Sequence, residues 1–114
     1  MPQIVELGPL TMSREGDRCR FTLSAPDQMT LNLPRDYQQH LSEKLGDLLA
    51  ENAEISITFD LEDLPGISSR QLGVMLALRK ALRARCERLP LTGVSPGVQR
   101  LLAVTRTDQF FEIE

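Results

Sequence analysis

Ser68, Ser69, Arg70 and Gln71 are the stretch with the most chemical content in this chain: two hydroxyls, a guanidinium and an amide on consecutive positions just before an apolar run. Ser-x-x-Gln is the pattern of a capping box. The Ser68 hydroxyl accepts from the backbone N–H of Gln71, and the Gln71 side chain reaches back toward the start of the helix. Ser69 is then the first helical residue, its side chain near solvent and close to the unpaired N–H groups of the first turn. A phosphate on Ser69 would be favoured there by the helix macrodipole and by Arg70, by about 0.3–1 kcal/mol at an exposed terminus. The residues therefore allow two readings, a phosphoacceptor or an ordinary first-turn serine. Asp60 ends the preceding alternating run, where an aspartate more often bonds a loop amide than serves as a catalytic acid. Pro65 and Gly66 make the turn between Asp60 and the serines.

Other chemistries find little support. The two cysteines, Cys19 and Cys86, lack C-x-x-C spacing, and His40 is the only histidine, so no metal site is expected and both thiols read as small apolar fillers. A net charge of −3, few aromatics and no Trp argue against nucleic acid, which calls for a basic footprint and stacking residues. Arg79, Lys80, Arg83, Arg85 and Arg88 form a basic run that reads either as a dock for an acidic partner or as solvated charge near a helix C-terminus. Nothing matches a phosphate-binding loop, a dinucleotide fingerprint or a nucleophile elbow. The expectation is a protein that binds proteins, with no catalysis and no cofactor of its own.

The elements that must position Ser69 follow from periodicity. The 114 residues suit one domain, 41% apolar and 25% charged, with no run near the roughly 18 apolar residues of a membrane span. The N-terminal residues show no basic-then-apolar export signal, and the cytoplasm is the expected location. Residues 4–7, 19–23 and 29–33 read as short strands, separated at Gly16-Asp17 and at Ala25-Pro26-Asp27. Tyr37, Leu41, Leu45, Leu48 and Leu49 make one helical stripe that ends near Asn52. Ile55, Ile57 and Phe59 alternate with Ser56 and Thr58 as a central strand. A second helix carries Leu72, Met75, Leu76 and Leu82 on one face, with Arg79 at its edge, and runs to residue 85. A strand at 89–94 follows, then a helix begun by Ser95-Pro96 with Val98, Leu101 and Leu102 inward, then a last strand at Phe110, Phe111 and Ile113. This order predicts an α/β fold with a β-rich start and later strands parallel, its sites in loops at their carboxyl ends.

Here a family resemblance enters. FDLEDLPGISSRQLGVMLALRKAL, from Phe59 to Leu82, resembles the STAS domain segment in which an Asp-Leu strand end and a short loop lead into Asp-Ser-x-Gly and a Leu-Gly-containing helix. LPLTGVSPGVQRLLAVTRTDQFFEI resembles the family's next strand, Ser-Pro helix start and closing strand. The resemblance implies a STAS-like mixed sheet. Among relatives such as the bacterial anti-sigma-factor antagonists, it further implies that the helix-start serine is often phosphorylated by a kinase-like anti-sigma factor that is also the binding partner. On this chain that serine is Ser69 and the strand-end aspartate is Asp60. Ser68 stands where the family has Asp, and Gln71 where it has Gly. The resemblance thus implies a partner surface at the Pro65–Ser69 loop and the following helix, with Asp60, Gly66, Ser68 and Arg70 in supporting places. Its alternative is a STAS subunit packed constitutively, without phosphorylation, in a larger signalling or transport assembly. Some STAS-like domains are associated with nucleotides, but the glycine-rich loop such a role calls for is missing here.

Overall fold

The computed structural model describes residues 3–23, 36–49, 55–62, 64, 66–83 and 87–114, with the backbone alone at 48 and 49. The expected strand at 29–33, the Leu48 side chain, Pro65, Arg85 and Cys86 lie outside the described residues.

Strands β1 (Gln3–Leu7), β2 (Leu10–Glu15) and β3 (Arg18–Leu23) are joined by two short hairpin turns and pair antiparallel. Each turn has two residues with Gly first, Gly8-Pro9 and Gly16-Asp17. Both glycines sit at positive φ, 65° and 62°, as a two-residue turn with Gly at its first central position requires. Strand β2 was not expected. Its only apolar residues, Leu10 and Met12, are followed by Ser13, Arg14 and Glu15, so it becomes a strand through its neighbours rather than through its own pattern.

From there the chain alternates. Helix α1 (Tyr37–Leu49) precedes β4 (Ser56–Asp60), and α2 (Ser69–Ala81) precedes β5 (Leu89–Thr92). Then α3 (Pro96–Val104) and a short 3-10 turn (Asp108–Phe110) lead into β6 (Phe111–Ile113). The sheet runs β1-β2-β3-β4-β5-β6, and β3 to β6 are mutually parallel. This is the mixed α/β architecture expected, with the β-rich part leading.

Burial alternates along the strands, so one sheet face is apolar and covered while the other is polar and open. Across the covered face the ladder brings Val5, Met12, Phe21, Phe59, Leu91 and Ile113 into one row. Leu41 and Leu45 of α1, Leu72 and Met75 of α2, and Val98 and Leu102 of α3 join the same core. The start of α1 is fixed by Tyr37, whose hydroxyl donates to the Leu7 carbonyl at 2.7 Å, and burial pushes that phenol up to about 12.

Leu72, Met75 and Leu82 are buried as expected, but the buried side of α2 reaches further round the helix than one stripe. Val74, Met75 and Leu78 are fully buried beside Gln71 and Leu72, whereas Leu76 is only half-buried. Because α2 packs against α1 as well as the sheet, its buried surface covers more than one stripe. Leu101, expected inside, is likewise half-buried. Helix α2 ends at Ala81, short of the expected residue 85.

Candidate functional site: the carboxyl edge of the parallel strands

The loop leaving β4 is built from Asp60 outward. Asp60 Oδ1 accepts from the Glu62 backbone N–H at 2.9 Å, which is the strand-end role expected for it. Its other carboxylate oxygen lies 3.8 Å from Arg20 on the neighbouring strand. Arg20 is largely solvated, so this pair contributes at most about 1 kcal/mol and serves mainly to orient Asp60. The backbone N–H of Leu61 donates to the Thr92 carbonyl at 2.9 Å, carrying the β4–β5 pairing one step into the loop.

Two residues of this edge escaped the sequence reading, Gly93 and Glu62. Gly93 has φ +64°, and a Cβ placed on it would lie 2.7 Å from the Cα of Glu62. The turn after β5 therefore presses its bare backbone against the loop after β4. The only sequence sign was a glycine inside the strand expected at 89–94, which in the structure ends at Thr92.

The capping box forms as expected. Ser68 Oγ accepts from the Gln71 N–H at 3.1 Å, and the Gln71 side-chain oxygen accepts from the Ser68 N–H at 2.7 Å. Gln71 is buried, so its amide is committed to this contact. The two positions where the chain departs from the family pattern are thus the two halves of one cap. Ser68→Ala is expected to cost about 0.5–2 kcal/mol, read as a lower urea midpoint at constant slope. An unchanged midpoint would mean that the cap contributes nothing.

Ser69 is exposed at the first position of α2, with Arg70 and Gly66 also exposed. The structure therefore brings Asp60, Gly66, Ser68, Ser69 and Arg70 to one edge of the sheet. Helix α3 starts at the same edge with its own cap, Ser95 Oγ accepting from the Val98 N–H at 3.2 Å. Positive helix ends thus follow two adjacent parallel strands, a local field that favours negative charge.

Two members of the basic run make contacts within the chain. The Arg79 guanidinium lies 4.7 Å from the centre of the Phe110 ring, and its Nε donates to the Glu87 carbonyl at 3.0 Å. Arg88 donates to the Phe111 carbonyl at 2.7 Å. Arg79 thus holds the turn before β6 and Arg88 holds β6 itself, while Lys80 and Arg83, like Arg88, are exposed.

Cys19 is buried and free, and burial pushes its thiol up to about 11, so it is a protonated filler. Among the described residues no group of His, Cys, Asp and Glu could hold a metal ion, and no helix is long and apolar enough to cross a membrane. An open depression of about 810 Å³ on the polar sheet face is lined by Glu15, Asp17, Arg18, Arg20, Ser56 and Thr58. Its charges balance, and it lies toward the amino ends of β3 and β4, away from Ser69.

Comparison with solved structures finds an enoyl-CoA hydratase/carnithine racemase from Magnetospirillum magneticum. It shares 19% identity at a TM-score of 0.38, over 74% of this chain and 38% of that one. The chain thus spans well under half the length of that enzyme, and the likeness is too weak to carry an argument. No protein of curated function matches. The STAS domain family model matches residues 38–114, from the first turn of α1 through β6 and including the whole Ser69 edge, and the chain belongs to the STAS domain family.

Proposed function

We propose that the chain is a regulatory, non-catalytic protein-binding module of the anti-sigma-factor-antagonist kind, acting in the cytoplasm. It binds a kinase-like anti-sigma factor through the loop 65–69 and the first turns of α2, and phosphorylation of Ser69 is the switch. The observation that carries this reading is the placement of Ser69. It is exposed at the first position of α2, inside a formed capping box and directly after its N-cap Ser68, where the loop from the carboxyl end of β4 enters the helix. A hydroxyl there is reachable by a kinase, and the backbone beneath it is held before and after modification.

Phosphate at Ser69 adds close to two negative charges to a surface that must be desolvated on binding, which weakens the complex. Ser69→Asp is accordingly expected to lower affinity for the co-encoded anti-sigma factor, as a lower limit on the phosphate effect, while Ser69→Ala preserves it. Incubation with that kinase and ATP should add one phosphate to the wild type and none to Ser69→Ala by intact mass. An unmodified wild type with equal affinity for all three variants would overturn the switch. It would leave the second reading, a STAS subunit packed constitutively in a larger assembly, which the replacement of the family's Asp and Gly by Ser68 and Gln71 favours.

A further inference from the structure

The two edges of the sheet are finished differently. At one edge β6 has only three residues, and the Arg88 guanidinium occupies the carbonyl of Phe111 at 2.7 Å. This edge is short and capped, the usual protection against pairing with another chain. At the other edge β1 has five residues, pairs with β2 without a bulge, and contains neither Pro nor Lys. Pairs of an antiparallel ladder alternate between bonded and non-bonded, and Leu7 and Leu10 flank the turn as a bonded pair. Ile4 and Glu6 consequently direct their N–H and C=O groups away from β2. Ile4 is also 66% exposed, the largest exposure of an apolar β-strand residue among those described.

We infer that β1 is a homodimer interface, pairing antiparallel with β1 of a second copy about a two-fold axis at Val5. In this register Ile4 lies opposite Glu6 of the copy, and the two exchange both backbone hydrogen bonds. The symmetric pair does the same, giving four bonds in all. Val5 faces Val5 of the copy, and the exposed Ile4 side chain packs on the aliphatic part of the opposing glutamate. The strand's only charge, Glu6, thereby never faces itself. A register centred on Glu6 would set like charges opposite one another, which destabilises a strand pair. The second copy is favoured over another partner because this five-residue segment complements itself in both backbone and charge. Two strands separate β1 from β4, so the join lies about 14 Å from the strand that carries the Ser69 loop. Both loops of the dimer stay open, and each dimer presents two partner surfaces.

Sedimentation of the full chain should show a concentration-dependent species of twice the chain mass. Ile4→Glu, which sets two carboxylates opposite each other at both symmetric pairs, should raise the dimer dissociation constant by about tenfold or more. Adding Glu6→Lys to Ile4→Glu should restore dimerisation, because the charges then attract. Ile4 is solvent-exposed and on the outer sheet face, so folding survives, and circular dichroism checks it. With Cys86→Ser in the background, Val5→Cys should give a disulfide-linked dimer under mild oxidation, since opposed Cα atoms in a non-bonded pair lie about 4.5 Å apart, within the range a disulfide spans. Gln3→Cys should not, because it faces Leu7. A wild type that stays monomeric at about 100 µM, or a Val5→Cys chain that cross-links no faster than Gln3→Cys, would overturn the inference.

Discussion

Phe59→Ala is expected to lower the unfolding free energy by about 3–5 kcal/mol, as loss of a buried aromatic ring does when the site cannot collapse. Phe59 is fully buried and sits in the row that links all six strands, with Phe21 on one side and Leu91 on the other. Strands hold the backbone on both sides of the cavity, so little relaxation can fill it. Domains of this size have only about 5–15 kcal/mol in total, so the variant should lose a large share of its stability. Urea unfolding would register this as a much lower midpoint. Thr58→Ala, one residue away on the open face, should change stability by less than about 0.5 kcal/mol. A loss below about 1 kcal/mol for Phe59→Ala would contradict the placement of the core.

Gly93→Ala should cost about 2–4 kcal/mol, the sum of a left-handed backbone conformation and a forced contact with main chain. The contacting atoms are the Cα, Cβ and N of Glu62, which cannot rotate away as the end of a flexible side chain can. Relief requires the loop after β4 to move, so partner affinity should fall along with stability. Gly73→Ala is the control. It lies in α2 with nothing within 4 Å of the added carbon, and it should stabilise by up to about 1 kcal/mol through helix propensity. Equal effects of the two substitutions in a thermal melt would show that the Gly93 turn does not bear on the loop.

The residues determined by sequence alone are those whose partners lie within four positions along the chain. Ser68 with Gln71, Ser95 with Pro96 and Val98, and the stripe of Tyr37, Leu41 and Leu45 are set by local backbone geometry, and each was legible before any fold was known. The alternation at Ile57 and Phe59 was equally plain, because a strand covered on one face declares itself with period two. The family pattern around Ser69 was readable for the same reason, being contiguous.

Tertiary structure decided what depends on residues far apart in the chain. Strand β2 exists because β1 and β3 flank it. The buried side of α2 is widened to Val74 and Leu78 where α1 adds a second neighbour, which a one-stripe pattern cannot represent. Arg79 and Arg88, which read from sequence as either a docking surface or solvated charge, hold the turn before β6 and β6 itself, because only the folded chain brings Phe110 and Phe111 to them. The same holds at the functional edge. Asp60 meets Arg20 through strand pairing, and Gly93 meets Glu62 because β5 lies beside β4. A sequence encodes such meetings only through the total burial they permit, so no single residue announces them.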